Sequence, residues 1–229
     1  MTADERDEPT AMADLRTRLA EGLPAGPLDE LATRDDRVSD LVRRFPGFRP
    51  PITPDPFESL ISSISAQQVN LRWALTTRRR LVERYGHLHH YDGVPVWQFP
   101  TPEVIAAADP GEIRALQFTT RKAEFVVGVG QAALEGTFDD LEDLPNEVIV
   151  ERLTAIRGIG RWSAEWLLAR CLARPDVVAA GDLGVRKAVS FSYLANDDIL
   201  SESVVRDTAL AWGDAANWTA HLLLETLVA

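Results

Sequence analysis

The sequence predicts an all-α protein, and three observations lead to this fold class. Most segments combine a helix start or stop signal with apolar residues that recur every three or four positions, which is the period of an amphipathic helix. The connections between these segments are short, as they are in helical bundles. Runs that resemble β-strands, such as residues 176–181, are too few to form a sheet.

Each predicted helix has its own local signals. Asp55 is a candidate N-cap with Pro56 in the first turn, and Asn70 is the candidate cap of the following helix, which Gly86 stops. Gly136 ends a later helix in the same way. The predicted helices span residues 55–68, 70–86, 101–109, 109–118, 119–136, 144–156, 161–170, 183–195, 201–212 and 217–229.

Length and composition bound the class of protein. With 229 residues, 45% of them hydrophobic, the chain can form one large domain or two small ones with a real core. No run approaches the roughly 18–20 apolar residues of a membrane span, and Met1 leads into charged residues rather than a signal peptide. We therefore expect a soluble, intracellular protein that does not bind membranes.

Few residues are available for a metal site. The single cysteine, Cys171, excludes an internal disulfide and any all-cysteine metal site. His87, His89 and His90 cluster in the segment GHLHH, but no carboxylate lies at ligand spacing nearby. We expect these histidines to occupy a loop or surface rather than to bind a metal.

Charge is distributed unevenly along the chain. The net charge is −11, which argues against a nucleic-acid partner because such proteins usually carry a basic surface. However, residues 1–40 hold eleven acids and five arginines, whereas residues 71–85 hold five arginines and one acid. Residues 151–189 hold seven basic residues and four acids. This layout permits an anionic partner at a central site without proving one.

Gly158, Ile159 and Gly160 interrupt a helical pattern that resumes with Trp162 and Trp166. Two glycines in so short a turn indicate a backbone with positive φ, or a group that approaches the backbone closely. One interpretation is a purely structural turn. The other is a phosphate-binding hairpin, in which the N–H groups and dipole of the second helix attract an anion.

Asp182 follows this turn by 22 residues and precedes another helix. It is either an ordinary N-cap or a functional carboxylate. Gly181 permits close backbone approach, and Arg186 and Lys187 follow within a turn and a half. The combination of G-I-G, a tryptophan two residues later and this aspartate is more specific than any of its parts.

Four segments within residues 55–190 resemble the helix-hairpin-helix DNA glycosylase superfamily, and within it the 3-methyladenine DNA glycosylase II type, which removes alkylated bases. They are LTAIRGIGRWSAEWLLAR, GDLGVRKAV, SLISSISAQQVN and LQFTTRKAEFV. The resemblance implies two helical lobes with a cleft between them, and the hairpin and Asp182 at its mouth. The chain is too short at its start for the N-terminal β domain of the larger bacterial enzyme.

The expected lobes follow from this resemblance. One lobe takes residues 11–55 and 173–229, and the central lobe takes residues 56–172 with the helix-hairpin-helix at 153–170. A proline-rich stretch at 45–56 forms the crossing between packing units. The acidic, proline-containing residues 1–10 are expected to be disordered.

The resemblance also assigns residues to DNA binding. The hairpin Gly158, Ile159 and Gly160, flanked by Arg157 and Arg161, matches the element that holds DNA phosphate with a monovalent cation, Na⁺ or K⁺, on its carbonyls. A duplex-insertion role falls to Gln67 and Gln68, and a phosphate-contact role to Arg186 and Lys187. The expected partner is double-stranded DNA that contains a damaged base. We expect the protein to bind it as a cytoplasmic monomer that is nucleoid-associated if bacterial.

For the chemistry, Asp182 matches the catalytic aspartate of the family. Trp162, Trp166 and Leu183 are assigned to the base pocket, where aromatic faces attract a cationic purine by roughly 0.5–2 kcal/mol. Trp162 also stands where bifunctional members carry a Schiff-base lysine, so simple hydrolysis without strand cleavage is expected. No organic cofactor and no catalytic metal is required.

The remaining tryptophans and the C-terminal stretch complete the expectations. Trp97, Trp212 and Trp218 are expected in the core, and Trp73 is left open. The segment WGDAANWTAHLLL keeps Trp212 but lacks the proline and arginine of the family's Trp-x-Pro-Tyr-Arg stretch. The sequence therefore does not determine what replaces the contacts of the family's arginine. It also does not determine how closed the pocket is on this side.

Three functions remain possible at this point. The first is a monofunctional alkylbase DNA glycosylase. The second is a glycosylase for another lesion, such as uracil, hypoxanthine, an oxidised purine or a mismatched base. The third is a non-catalytic helix-hairpin-helix module that binds DNA without sequence preference.

Overall fold

The computed structural model describes residues 23–91 and 93–228, so the segment 1–10, expected to be disordered, lies outside the described residues. The elements, in chain order, are α1 Gly26–Arg34, α2 Asp36–Arg44, α3 Pro56–Ala66, α4 Leu71–Tyr85, β1 His87–Tyr91, β2 Val94–Gln98, α5 Pro102–Ala106, α6 Pro110–Ala115, α7 Thr120–Leu134, a 3₁₀ turn Leu141–Asp143, α8 Asn146–Thr154, α9 Arg161–Arg170, α10 Leu183–Ala188, a π-helical turn Val189–Tyr193, α11 Glu202–Leu210, a 3₁₀ turn Gly213–Ala215 and α12 Ala216–Glu225.

The structure confirms the all-α class and adds one small β-hairpin. Strands β1 and β2 pair antiparallel, from His87 opposite Gln98 to Tyr91 opposite Val94. The sequence prediction of no sheet was therefore wrong at 87–98. The signal was present, because an Asp-Gly pair separates two runs with β-forming residues and is typical of a two-residue hairpin turn. The run 176–181 forms no strand.

The chain divides into two compact units. The terminal unit joins the described residues up to Pro54 with those from Glu165 onward, and the central unit is Asp55–Ala164. The expected boundary after residue 172 differs, because the observed one falls within α9. Trp166, in the second half of α9, packs edge-on against His221 of α12 in the terminal unit.

In the central unit, helix α3 begins as its sequence predicts. The Asp55 carboxylate accepts hydrogen bonds from the N–H groups of Phe57 and Glu58, and Pro56 lies in the first turn. Its apolar stripe, which includes Phe57 and Ile64, is buried. Asn70 caps α4 through the N–H of Trp73, and α4 ends at Gly86. The Asn70 cap fixes the chain directly after the loop that carries Gln67 and Gln68.

In the terminal unit, two tryptophans form part of the core. Trp212 and Trp218 are each 2% exposed, which confirms their predicted core positions. Tyr193 packs edge-on against Trp212, and the Trp218 indole donates to the Pro24 carbonyl oxygen at 3.1 Å. Trp97, on β2, is 40% exposed, so its predicted core position was wrong.

Two further sequence expectations concern membranes and metals. Across residues 23–91 and 93–228, no helix combines the length and apolarity that crossing a bilayer requires. Within the same residues, no three His, Cys, Asp or Glu side chains come together in a way that could hold a metal ion. His87, His89 and His90 lie exposed on β1, which confirms the surface position expected for them.

Candidate functional site

The glycine turn lies between α8 and α9 in the central unit. Gly158 has φ +92°, and a Cβ there would lie 2.2 Å from Cγ of Phe125. Glycine is therefore required at this position both by its backbone conformation and by contact with an aromatic ring. Ile159 is buried and anchors the turn, whereas a Cβ at Gly160 would meet no atom within 4 Å. Only Gly160 leaves room for an outside group to approach the backbone.

Helix α9 begins directly after this turn. The Gly160 carbonyl oxygen accepts from the N–H groups of Ser163 and Ala164, which sets the first turn of the helix. The amino end of a helix carries partial positive charge and can bind an anion such as phosphate. The turn and helix start therefore have the local geometry expected of a phosphate-binding hairpin.

The two arginines beside the turn form exposed ion pairs. Arg157 pairs with Glu124 at 3.1 Å and lies over the Phe125 ring, with its guanidinium carbon 5.5 Å from the ring centroid. Arg161 pairs with Glu147 at 2.7 Å. Ion pairs this exposed contribute only about 0–1 kcal/mol, so little free energy opposes their exchange for phosphate contacts.

The two glutamines assigned together to duplex insertion differ in structure. The Gln67 side-chain amide donates to the Gly158 carbonyl oxygen at 2.9 Å, which connects the end of α3 to the glycine turn. Gln68 has φ +54° and is exposed, and its side chain forms no hydrogen bond with the described residues. Gln67 therefore braces the hairpin, and Gln68 is the better candidate for insertion.

Helix α7 contacts the glycine turn and the end of α3, and the sequence did not predict these contacts. Phe125 packs against Gly158, and the Lys122 ammonium donates to the Ser65 carbonyl oxygen at 3.0 Å, near the end of α3. Burial lowers the pKa of Lys122. The segment LQFTTRKAEFV carried part of the family resemblance, but its spacing gave no indication of these contacts.

Asp182, in the terminal unit, is half-buried and caps α10. Its Oδ1 accepts from the Val185 N–H at 2.9 Å, so the N-cap interpretation is correct. Its Oδ2 accepts from the Trp166 indole N–H at 3.4 Å. A Cβ at Gly184 would lie 2.9 Å from Oδ1, so glycine there leaves space for the carboxylate. Both oxygens are thus oriented by separate donors.

Trp166 is embedded rather than open. It is 8% exposed, and the guanidinium carbon of Arg170 lies 3.8 Å from its ring centroid. Since the guanidinium covers a ring face, Trp166 presents less surface for base stacking than the sequence suggested. Trp162 is half-buried in the central unit, and Leu183 is 54% exposed beside Asp182.

Arg170 is itself held by His221. The Arg170 Nε–H donates to His221 Nε2 at 3.0 Å, and His221 Nδ1 donates to the Asn217 carbonyl oxygen at 2.9 Å. Burial and the charge of Arg170 lower the pKa of His221 to about 3. Burial also lowers the pKa of Arg170 to about 10, against the opposing effect of the Asp182 charge. The pair is therefore a cationic arginine on a neutral imidazole.

The basic residues after Asp182 are positioned differently from each other. Arg186 donates through Nε to the Leu200 carbonyl oxygen at 2.8 Å, so part of its guanidinium is committed within the terminal unit. Lys187 is half-exposed at the end of α10. Their phosphate-contact role stays a prediction, and Lys187 is the less constrained of the two.

The chain matches one family model over residues 61–212, described as the HhH-GPD superfamily base excision DNA repair protein. The matched region includes the Gln67 loop, the glycine turn and Asp182. It ends before α12, which carries His221.

Individual proteins show the same similarity. The chain is 30% identical over 185 residues to the DNA-3-methyladenine glycosylase of Bacillus subtilis, covering 78% of this chain and 61% of that protein. It is thus shorter than this relative, of which it spans less than two thirds. A 3-methyladenine DNA glycosylase from Archaeoglobus fulgidus has a similar structure, with a TM-score of 0.85 and 28% identity over 99% of this chain and 77% of the other.

A further solved structure contains DNA. The 3-methyladenine DNA glycosylase of Schizosaccharomyces pombe in complex with abasic DNA is similar with a TM-score of 0.74 and 29% identity. The similarity covers 89% of this chain and 97% of that one.

Proposed function

Because the chain belongs to the HhH-GPD superfamily of base excision DNA repair proteins, we propose that it is a monofunctional DNA glycosylase for alkylated bases. Its reaction is hydrolysis of the N-glycosidic bond of bases of the 3-methyladenine and 7-methylguanine type. Similarity to two proteins named as 3-methyladenine glycosylases supports this substrate class. The partner is double-stranded DNA, on which the protein acts as a monomer.

DNA binding begins at the glycine turn. The amino end of α9 and the open backbone at Gly160 take a phosphate, and Arg157 and Arg161 exchange their exposed carboxylate partners for phosphate oxygens. The hairpin carbonyls, neutral oxygen donors, fit a Na⁺ or K⁺ ion that would tie a phosphate to the turn. The Gly158 carbonyl oxygen accepts one hydrogen bond from the Gln67 amide, and since a carbonyl oxygen has two lone pairs, it keeps capacity for a cation.

The damaged nucleotide must then leave the stack. Flipping costs a few kcal/mol and costs least for a base that already pairs poorly. Gln68 enters the duplex and fills the gap, since it is exposed in the loop next to the braced Gln67. Within the terminal unit, the flipped base meets Leu183 and the part of the Trp166 ring that Arg170 leaves uncovered.

Bond cleavage depends on the Asp182 carboxylate. An alkylated base that carries a positive charge leaves as a neutral molecule, so no general acid is required for its departure. The deoxyribose becomes oxocarbenium-like, and a carboxylate stabilises this charge and orients or deprotonates the attacking water. The Val185 and Trp166 N–H groups each hold one carboxylate oxygen, so the group is oriented before substrate arrives.

The reaction stops at hydrolysis. A Schiff base with the sugar requires an amine nucleophile, and the residue two positions after the glycine turn is Trp162. We therefore expect an abasic product without strand cleavage.

The observation that carries this proposal is the doubly oriented carboxylate of Asp182, in a segment matched by the family model. The test compares wild type with Asp182→Asn on duplexes containing methylated bases, uracil or hypoxanthine, by measuring the free bases released. Asparagine caps helices as well as aspartate does, so the variant should keep its fold and its DNA affinity. Asp40→Asn, at an exposed site in α2, is the matched control.

Each outcome assigns a function. The proposal is supported if wild type and Asp40→Asn release methylated bases and Asp182→Asn does not. Release of uracil or hypoxanthine alone would indicate a glycosylase for another lesion. DNA binding without any base release would leave a non-catalytic binding module.

A further inference from the structure

We propose that Arg170 is a positioning residue for the Asp182 carboxylate and that it acts through the Trp166 ring; this inference rests on the function proposed above. Arg170 stacks on the Trp166 indole, and the indole N–H donates to Asp182 Oδ2. The four side chains His221, Arg170, Trp166 and Asp182 form one series of contacts inside the terminal unit.

The first contact in this series fixes the arginine. His221 is 2% exposed, and its Nδ1–H donates to a backbone carbonyl, so Nε2 is left as an acceptor. The lowered pKa of His221 keeps the imidazole neutral. A neutral Nε2 accepts the Arg170 Nε–H at 3.0 Å, which a protonated imidazole would not.

The second contact fixes the indole. A guanidinium carbon 3.8 Å from the ring centroid is within cation–π distance, and the nearly buried site desolvates both groups. His221 also packs edge-on on the same ring, with centroids 5.5 Å apart. The Trp166 plane is thus held from two sides, and its N–H direction is set by Arg170 and His221.

The third contact reaches the reacting group. The indole N–H to Asp182 distance of 3.4 Å is long for a hydrogen bond, so its strength depends strongly on the ring orientation. The Val185 N–H holds only Oδ1. Without Arg170 the ring can tilt, and Oδ2 loses the donor that directs the carboxylate toward the sugar.

Asn217 holds the backbone on both sides of Arg170 and also contacts His221. Its side-chain amide donates to the carbonyl oxygens of Ala169 and Arg174, each at 2.9 Å, and its own carbonyl accepts from His221. Helix α12 is thereby joined to the end of α9 at the residue before Arg170. The arginine backbone and side chain are therefore both constrained.

The test uses four variants with matched roles. Arg170→Met removes the cation, Arg170→Lys keeps the charge without the planar guanidinium, and Trp166→Phe keeps a ring but lacks the N–H. The double variant Trp166→Phe with Arg170→Met completes a cycle. Arg43→Met, at an exposed site in α2, is the control.

The activity readout is the single-turnover rate of release of 7-methylguanine, with the Kd for the same duplex measured in parallel. We expect Arg170→Met to lower the rate roughly tenfold to a hundredfold, as small misplacements of a reacting group do, while the Kd stays unchanged. Arg170→Lys should recover part of the rate. In the Trp166→Phe background, Arg170→Met should cause little further loss. Losses that multiply, or a change in Kd alone, would overturn the proposal.

A second readout does not depend on activity. The Trp166 indole N–H resonance, identified by its absence in Trp166→Phe, should be protected from solvent exchange in the wild type. It should shift and exchange faster in Arg170→Met and stay unchanged in Arg43→Met. An unchanged resonance in Arg170→Met would overturn the inference. If the resonance shifts as expected but wild type releases no base, only the proposed function is contradicted.

Discussion

Gly158 and Gly160 are two residues apart in the hairpin, yet a side chain would meet different surroundings at each position. At Gly158 the backbone has φ +92° and the Phe125 ring fills the space of a Cβ. At Gly160 the space is open. The first glycine is thus required by the fold itself, and the second leaves the backbone accessible to an outside group.

This contrast predicts opposite results for two alanine variants. Gly158→Ala should lower the free energy of unfolding by about 2–5 kcal/mol, through left-handed backbone strain and the clash with Phe125. Gly160→Ala should cost less than about 1 kcal/mol, mainly as a poorer cap, but should weaken binding to duplex DNA because its methyl group would stand at the proposed phosphate site. Urea unfolding and fluorescence titration with duplex check both. Equal losses of stability would contradict this assignment.

Gly184 has a similar steric role beside the carboxylate. A Cβ there would lie 2.9 Å from Asp182 Oδ1 and 3.2 Å from Leu224. We expect Gly184→Ala to slow base release while the duplex Kd changes little, because the methyl group displaces the carboxylate. The matched control is Gly128→Ala in α7, where a Cβ would meet nothing within 4 Å. The control should keep full activity and gain up to about 1 kcal/mol of stability from helix propensity.

At the scale of elements, α7 supports the glycine turn and the end of α3. It supplies Phe125 under Gly158, Glu124 to Arg157 and Lys122 to the end of α3. The Gln67 amide adds a direct link from that end to the glycine turn. The hairpin is therefore stabilised by two elements besides its own helices.

Because only Gln67 donates to the glycine turn, we expect substitutions at Gln67 and Gln68 to have different effects. Gln67→Glu keeps the size of the side chain but removes the amide donor, and we expect a loss of about 0.5–1.5 kcal/mol in stability together with weaker DNA binding. Gln68→Ala should leave stability unchanged and slow base release, since it removes only the inserted side chain. Thermal unfolding, duplex titration and single-turnover kinetics distinguish the two. Identical behaviour of both variants would show that neither has a distinct role.

At the scale of the whole molecule, the charge layout has to be reconciled with DNA. The net charge is −11, and the acids concentrate toward the chain ends, whereas the hairpin region and α4 are rich in arginine. A local basic surface is sufficient for phosphate contacts, which weaken as salt concentration rises. The net charge therefore does not argue against the DNA partner proposed above.

Stability of the folded molecule should depend on pH through His221. Burial and the Arg170 charge lower its pKa to about 3, against an ordinary value near 6.5, so the unfolded chain binds a proton that the folded chain does not. This contribution is fully present above pH 6.5 and is lost as pH falls toward 3, by about 2 kcal/mol at pH 5. The free energy of unfolding, measured in urea between pH 7 and 4, should fall less steeply with decreasing pH in His221→Gln than in wild type. The exposed His87→Gln should keep the wild-type slope.

Much of this molecule follows from local sequence signals. The caps at Asp55 and Asn70, the glycine turn and the buried Trp212 and Trp218 could all be predicted, because caps and apolar periodicity act between residues close in the chain. The Asp-Gly pair between β1 and β2 is a local signal of the same kind.

Other features were decided only by the tertiary structure. Gln67 meets Gly158 across 91 residues, and Arg170 meets His221 across 51. No local pattern specifies such pairs, because a polar side chain takes its partner from whichever element packs beside it. The sequence by itself determined the positions of the helices, the family resemblance and the choice of Asp182 as the candidate carboxylate. Packing determined which donors orient the Asp182 carboxylate and which of the two glutamines braces the glycine turn.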